Sequence, residues 1–342
     1  MSEVPIKNVY NMLVYAFDVL KSKEYERLNW EDCENIYDLV ASLLLCGTNT
    51  LIKRGFLKSY INQTEELTAI RGRININNSV RKLSFQNAKA VCDFDDFNAN
   101  IYFNQVLKAT FLYLKQRKLH KNIKRDITKI FMYFNEIDDI SVETIKWDSF
   151  VFNRNNSHYD TLLYFCRLIC EEAIANQEKG KNNFRTIEDK LLPTLFERFI
   201  YAFYKKELAK PYSVLPQQKI EWYAVNKEML PKMNADTIIE NAEQKLIIDT
   251  KFYSKTLQSN RFSDNQTVIS SNLYQIFAYV KNEAANTPNK SVSGMLLYPQ
   301  VDISVKKSYN IDGHNFHVKT INLNQEFDLI KQELYKISLI LK

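Results

Sequence analysis

Two short apolar runs separated by a polar turn constrain the fold more than any other part of this sequence. They cover residues 233–239 (MNADTII) and residues 245–251 (KLIIDTK). Short runs rich in isoleucine and bounded by turn residues predict two antiparallel strands joined as a hairpin. Asp236 on the first strand then lies beside Asp249 on the second. Side chains two positions apart project from the same face of a strand, so Lys251 is expected to point the same way as Asp249.

Two carboxylates and one ammonium that converge in this way suit phosphodiester hydrolysis. Mg²⁺ prefers oxygen ligands, usually one or two carboxylates with waters and substrate phosphate, so Asp236 and Asp249 are candidate metal ligands. Lys251 is the candidate cation that positions water and offsets charge on the phosphate. A solvated hairpin end is the alternative interpretation. The apolar run at 246–248 argues against it, because such a run is typical of a buried central strand.

The segment ahead of the hairpin predicts a helix and a strand. Residues 189–209 carry apolar side chains at helical spacing. Glu197 lies on this helix, where it is either a third carboxylate of the site or a surface residue. Residues 219–225 are predicted to form the first strand of the sheet.

The segment after the hairpin predicts a second helix and a further strand. Residues 272–279 place Gln275 and Tyr279 four positions apart, on one helix face. Gln275 is a candidate for hydrogen bonding to phosphate or to metal-bound water, whereas Tyr279 suits packing. Residues 293–299 then predict an apolar strand that ends at a proline.

The order helix, three strands, helix, strand, with a motif that ends in Asp-x-Lys, resembles the PD-(D/E)xK nuclease superfamily. The proline that usually precedes the first aspartate is Ala235 here. Several segments together, spread from residue 4 towards the C-terminus, resemble the McrC family, the nuclease subunits of McrBC modification-dependent restriction systems. These segments are 4–17 (VPIKNVYNMLVYAF), 70–74 (IRGRI), Asp236 with 246–253 (LIIDTKFY), and 296–299 (LLYP).

The resemblance implies a Mg²⁺-dependent endonuclease subunit that works only with a partner. That partner would be a McrB-like AAA+ GTPase ring that recognises methylated cytosine, and the substrate double-stranded DNA containing the modified base. The family also implies that this chain stimulates the GTPase of its partner. GTP is expected on the partner, because this sequence contains no Gly-x-x-x-x-Gly-Lys-Ser/Thr loop.

The sequence predicts two domains. Residues 1–155 read as an α+β domain, mostly helical with a small β insertion, which the resemblance makes the partner-binding domain. Residues 156–342 read as an α/β domain of the PD-(D/E)xK restriction-endonuclease type, and the boundary is placed in a polar connection. Arg71 and Arg73 flank a glycine in the β insertion. They are either solvated residues of a turn or bulge, or contacts to the partner.

Composition is compatible with these predictions and excludes several other classes of protein. The chain has 46 basic and 40 acidic residues, so it lacks the strong basic excess common in proteins that bind DNA alone. Five cysteines without metal-ligand spacing, and no signal sequence, favour a reducing cytoplasm. The longest apolar run, residues 39–46, is far shorter than a membrane span and predicts a buried helix segment.

Two classes of function remain open from the sequence. The first is a DNA endonuclease subunit that uses Asp236, Asp249 and Lys251. The second is a non-cleaving activator or scaffold subunit of an AAA+ GTPase, in which the nuclease motif is incidental. The intact set of two aspartates and a lysine favours the first, and the large helical domain disfavours a nuclease that works alone.

Overall fold

The structure is a computed structural model that describes residues 4–17, 20, 25, 33–178, 187–253, 257–260, 263–301 and 303–341. It divides into two compact units. The sheet unit combines Met1–Ser22 with Glu188–Lys342, and the helical unit comprises Lys23–Ile187. Helix α1 (Ile6–Ala16) therefore belongs to the sheet unit, the helical unit follows it in the chain, and the remaining residues complete the sheet unit.

The helical unit combines helices with a small three-stranded sheet. Its elements are α2 (Ile36–Arg54), β1 (Ser59–Leu67), β2 (Arg73–Ile74), α3 (Ile76–Arg81), β3 (Ala90–Asn98), α4 (Tyr102–Lys115), α5 (Lys121–Ile130) and α6 (His158–Glu178). The sheet has the order β1–β3–β2, and both pairings are antiparallel. The described part of this unit matches the predicted mixture of helices and a small β insertion.

Helix α2 shows how local chemistry sets the bounds of an element. The Asn35 side chain accepts a hydrogen bond from the Asp38 amide at the start, and Gly55 takes a φ of 85° at the end. By length and composition α2 is the one described helix that could cross a membrane, but 61% of its most apolar window is buried inside the protein. The run at 39–46 lies within it, so the prediction of a buried helix segment is confirmed.

The sheet unit is an α/β assembly built on a mixed sheet. Its further elements are α7 (Ile187–Glu207), β4 (Ser213–Ile220), β5 (Met233–Glu240), β6 (Gln244–Thr250), β7 (Leu257–Asn260), β8 (Ser263–Val268), α8 (Ser270–Asn286), β9 (Ser291–Pro299), β10 (Lys306–Ile311), β11 (His314–Ile321) and α9 (Phe327–Ser338). Among the described residues the large sheet has the order β10–β11–β9–β6–β5–β4. Strands β6, β9 and β11 are parallel; β10 pairs antiparallel with β11 at one edge, and the antiparallel strands β5 and β4 complete the other side.

Helix α8 forms the crossover that two parallel strands require, here β6 and β9. It packs its Ile276 and Val280 against a cluster that includes Ile247 and Leu296. The approach is close at Gly294, where a Cβ atom would lie 2.8 Å from a side-chain carbon of Ile276 and equally close to one of Val280. A glycine is therefore needed at this position to bring α8 onto the sheet.

The predicted strand at 219–225 was wrong in position. The strand that precedes the hairpin is β4 (Ser213–Ile220), and residues 221–232 form a connection without regular structure. β4 contains Pro216 and two glutamines, a polar sequence that does not predict a strand. It forms because β4 lies at the edge of the sheet, where one side needs no hydrogen-bonding partner and proline is tolerated.

The two units also divide differently from the predicted boundary at residue 155. Helix α1 belongs to the sheet unit, where the Asn8 side chain donates hydrogen bonds of 2.8 Å to the carbonyl oxygens of Leu323 and Gln325. Helix α6 belongs to the helical unit. The pattern of a sequence shows that a helix is amphipathic, but it does not show which distant segment covers the apolar face.

Candidate active site

The candidate site lies where the pairing of β5 and β6 ends. The ladder extends as far as Thr237 opposite Ile248, so Asp236 and Asp249 follow one step beyond it. Beyond the ladder, the Asp236 side chain replaces the backbone hydrogen bonds between the two strands. Its Oδ2 accepts hydrogen bonds from both the amide and the hydroxyl of Thr250, each 2.7 Å long. Asp236 is thus fixed against the end of β6.

Lys251 lies beside Asp249, as the two-residue period of a strand predicts. Its Nζ is 2.8 Å from Asp249 Oδ2. The Lys251 amide donates to the carbonyl oxygen of Leu297 at 2.9 Å, which extends the pairing with β9 past the end of β6. The lysine therefore projects from a backbone position that two neighbouring strands fix.

Asp249 is a buried carboxylate with capacity to bind a ligand. Its side chain is 1% exposed, and among the described residues neither of its oxygens accepts a hydrogen bond of good geometry. Lys251 Nζ forms an ion pair with Oδ2, so the oxygen that has no nearby donor among the described residues is Oδ1. A buried carboxylate oxygen without a donor is costly in a protein that binds nothing there.

The charges of the site shift the pKa values of its members. Burial raises the pKa of Asp249 to about 6, the charge of Asp236 adds to this effect, and Lys251 opposes it. For Lys251, burial disfavours the ammonium form, but the nearby carboxylates of Asp249 and Asp236 outweigh burial and raise its pKa. Lys251 therefore stays charged at neutral pH. Ionisation of Asp249 is opposed by burial and by the charge of Asp236, and a bound cation would offset both effects.

Glu197 on α7 faces the same group. Burial and the negative charge of Asp236 raise its pKa, and Arg198 and Lys251 partly compensate. The Gln217 side chain donates to Glu197 Oε1 at 3.1 Å. Within the described ranges, however, no three Asp, Glu, His or Cys side chains lie close enough together to hold one metal ion. Glu197 is therefore an electrostatic neighbour of the aspartates in this structure.

Gln275 lies on α8, and its hydrogen bond to phosphate or metal-bound water stays a prediction. Its amide donates to the Tyr279 hydroxyl at 2.8 Å along the same helix. In the part of the chain that the structure describes, it makes no hydrogen bond to either aspartate. On the same helix, Asn272 donates to the Tyr298 hydroxyl of β9 at 3.0 Å.

The sequence reasoning missed some residues of the site. Tyr298 is one, since burial, with a further contribution from the Asp249 charge, raises its pKa to about 12. Thr250 and Gln217 are two others, because each binds a carboxylate of the site through a contact outside the Asp-x-Lys pattern. Of these three residues, only Thr250 could have been identified from the sequence, because it lies between Asp249 and Lys251 in the Asp-x-Lys motif.

Arg71 and Arg73, the two arginines of the helical unit, are in different environments. Arg71 forms an ion pair of 2.8 Å with Asp96, and its guanidinium lies 4.2 Å from the centre of the Phe94 ring. Arg73 is exposed and, among the described residues, has no ion pair or side-chain hydrogen bond. Gly72 between them has a φ of 69°, and a Cβ atom there would lie 2.4 Å from the Asp93 carbonyl oxygen. A glycine is therefore needed at this turn between the two arginines.

Comparisons with known proteins agree on one family. Residues 6–299 match the family model described as McrBC 5-methylcytosine restriction system component. The chain is 28% identical over 340 residues to the type IV methyl-directed restriction enzyme EcoKMcrBC of Escherichia coli K12, covering 98% of this chain and 97% of that protein. Its fold resembles a chain in the McrB AAA+ hexamers with bound McrC of Thermococcus gammatolerans, with a TM-score of 0.56, 16% identity, and coverage of 98% of this chain and 76% of that one.

Proposed function

Because the chain belongs to the family of McrBC 5-methylcytosine restriction system components, we propose that it is the McrC-type nuclease subunit of such a system. It would hydrolyse phosphodiesters of double-stranded DNA containing modified cytosine, in the cytoplasm and in complex with a McrB-like AAA+ GTPase. One observation carries the proposal. A buried carboxylate, Asp249, forms an ion pair of 2.8 Å with a charged lysine at the end of a central strand, and its second oxygen has no donor among the described residues.

The residues of the site fit a divalent cation such as Mg²⁺. Asp249 offers a buried oxygen without a donor among the described residues, and Asp236 faces it from the neighbouring strand. Both would hold the ion, and Glu197 would add negative charge close by. The bound ion would supply Lewis acidity and a water with a lowered pKa. The fit rests on the donor set, because hard cations select carboxylate oxygens.

The chain's own residues would then perform the remaining tasks. Thr250 holds Asp236 by two hydrogen bonds, so that carboxylate keeps its direction when substrate enters. Lys251 brings a positive charge whose position is fixed by its backbone bond to Leu297. This ammonium would offset the charge that develops on the scissile phosphate, which is most effective in a site that excludes water.

The arrangement of elements supports assignment of the sheet unit to the PD-(D/E)xK superfamily. Helix α7, the strands β4, β5 and β6, helix α8 and strand β9 follow one another in the chain. The aspartates and the lysine lie at the end of the β5–β6 hairpin, and Glu197 lies on the preceding helix. These elements form one mixed sheet with helices in the same unit, as the superfamily's order of elements requires.

The helical unit is proposed to bind the partner and to stimulate its GTPase. Arg73 offers an exposed guanidinium that is free within the described residues, whereas Arg71 is engaged with Asp96. Around the same small sheet, Tyr60 and Phe97 are exposed large side chains, and their rings lie 5.0 Å apart. Aromatic and arginine side chains on a surface are typical of the residues that dominate protein interfaces. GTP itself would bind to the partner.

The test is cleavage of a methylated plasmid by purified components. The chain with Mg²⁺ alone should leave the plasmid intact, and addition of the cognate GTPase with GTP should start cleavage. Asp249→Ala should abolish cleavage but leave the stimulation of GTP hydrolysis, because site and activating surface lie on different units. Stimulation without cleavage by the wild-type chain would favour the alternative, a non-cleaving activator subunit.

A further inference from the structure

We infer that Gln217 is a positioning residue of the site, whose side-chain amide fixes the Glu197 carboxylate beside Asp236. The inference rests on the proposed function, since it assigns Glu197 to the surroundings of the bound cation. It adds a residue that the Asp-x-Lys motif does not contain and that stands on a different strand.

The backbone of β4 is interrupted at Gln217, directly across from Asp236. Pro216 pairs with Thr237 and Gln218 pairs with Ala235, so Gln217 is the position that the ladder omits. Its φ is +42°, in the left-handed region. Residues other than glycine are uncommon there, and they cluster at functional sites where the surroundings hold them in place.

The interruption has a local consequence for the side chain. The Gln217 amide donates to Glu197 Oε1 at 3.1 Å, across 20 positions of sequence. Because β4 is the edge strand, the break in pairing leaves no further strand without a partner. The chain thus adopts an unfavourable backbone conformation at a point where the side chain reaches an acidic group of the site.

A purely structural reading predicts something different. Irregular edge strands prevent association between sheets, and an interrupted β4 would serve that purpose with any side chain at this position. Glycine adopts the left-handed conformation without strain and has no amide side chain. Replacement of Gln217 by glycine therefore keeps the interruption and removes the contact to Glu197, which separates the two readings.

The experiment compares four variants of the full chain. Gln217→Met keeps the length but removes the donor, and Gln217→Gly removes the side chain. Gln218→Met and Gln218→Gly are the matched controls, because Gln218 is exposed and occupies an ordinary ladder position. Binding of Mn²⁺ and Mg²⁺ to each purified chain is measured by calorimetry without DNA. The Mg²⁺ dependence of cleavage is then measured in the complex with the GTPase, together with the thermal unfolding midpoint.

Both Gln217 variants should bind the cation up to about 10-fold more weakly, the low end of the effect of removing a residue that orients groups around a metal, because Glu197 lies beside the ligands and does not itself hold the ion. The Mg²⁺ concentration for half-maximal cleavage should rise by a similar factor. The unfolding midpoint of Gln217→Gly should equal or exceed that of the wild type, so weaker binding could not be attributed to misfolding. Both Gln218 variants should bind the cation like the wild type, although Gln218→Gly should lower the unfolding midpoint because glycine weakens a regular strand.

Wild-type cation affinity in Gln217→Gly would overturn the inference, and so would an equal loss in the Gln218 variants. If Gln217→Met fails to fold, Gln217→Gly decides alone. A wild-type complex that does not cut DNA would refute the proposed nuclease function, while calorimetry would still judge the role of Gln217. A wild-type chain that binds neither cation would overturn both.

Discussion

Replacement of Asp249 by asparagine should make the metal-free protein more stable while abolishing its activity. The carboxylate is buried, and neither oxygen accepts a well-formed hydrogen bond from the described residues. Burial and the charge of Asp236 therefore oppose its ionisation, and its pKa of about 6 lies above the usual value of 3.8. The asparagine side chain has nearly the same shape and imitates the neutral acid.

The magnitude follows from this pKa. Each pH unit between the folded-state and unfolded-state pKa corresponds to about 1.4 kcal/mol, so ionised Asp249 destabilises the folded protein by about 3 kcal/mol above pH 6. The figure is of the order expected for a buried carboxylate. In the variant the ammonium of Lys251 loses its ion-pair partner, which reduces the gain. A net stabilisation of about 1–3 kcal/mol is expected at pH 8.

The sign of the pH dependence provides the assay. For an acid whose pKa is raised on folding, the unfolded state loses its proton first, so wild-type stability falls as the pH rises from 3.8 to about 6. Urea unfolding of wild type and Asp249→Asn in the presence of a chelator should agree near pH 4 and diverge by pH 7. Mg²⁺ should then stabilise the wild type and leave the variant unchanged, because only a folded site that binds the ion gains stability from it.

Equal or lower stability of Asp249→Asn at pH 8 would refute this reasoning. A stability difference that does not change with pH would also contradict it, since the effect must then come from packing rather than from charge.

Three further predictions concern Lys251, the two arginines and Gly72. Lys251→Met should lower the cleavage rate by on the order of 10²-fold or more, while assembly and GTPase stimulation persist; near wild-type cleavage would place the catalytic strand elsewhere. Arg73→Ala should weaken binding to the GTPase, measured by calorimetry, without changing the unfolding midpoint, whereas Arg71→Ala should lower the midpoint because it removes the ion pair with Asp96; equal effects on binding and midpoint would show that both arginines are structural. Gly72→Ala should destabilise the helical unit by at least about 1–2 kcal/mol, read from thermal unfolding, because alanine is strained at a φ of 69° and its Cβ would contact β3; an unchanged midpoint would mean that the turn relaxes freely.

The central hairpin was the most predictable part of the fold. Residues 246–248 are all buried in β6, so an apolar run sufficed to place a central strand. The period of two then put Lys251 beside Asp249, and the pairing of β5 with β6 put Asp236 across from it. Each of these relations joins residues that are close in the chain or that belong to one hairpin. A sequence pattern is therefore enough to predict them.

Contacts between distant segments could not be predicted. The bond from Gln217 to Glu197 depends on an irregular edge strand, and the polar sequence around Gln217 gave no sign that a strand exists there. Likewise, the difference between Arg71 and Arg73 depends on which of them meets Asp96 on β3. Side-chain direction after a glycine turn is set by the partner strand, and single-sequence patterns do not include that strand.

The membership of α1 in the sheet unit has a consequence for how the protein is made. A ribosome synthesises α1 before the helical unit, yet Asn8 binds Leu323 and Gln325, which emerge more than three hundred residues later. The apolar face of α1 therefore has no partner while residues 23–187 fold, and it is either exposed or covered by a chaperone during that time. A fragment cut at residue 156 would lack this helix and should aggregate. Joining residues 1–22 directly to residues 188–342 would instead keep every segment of the sheet unit in one shorter chain.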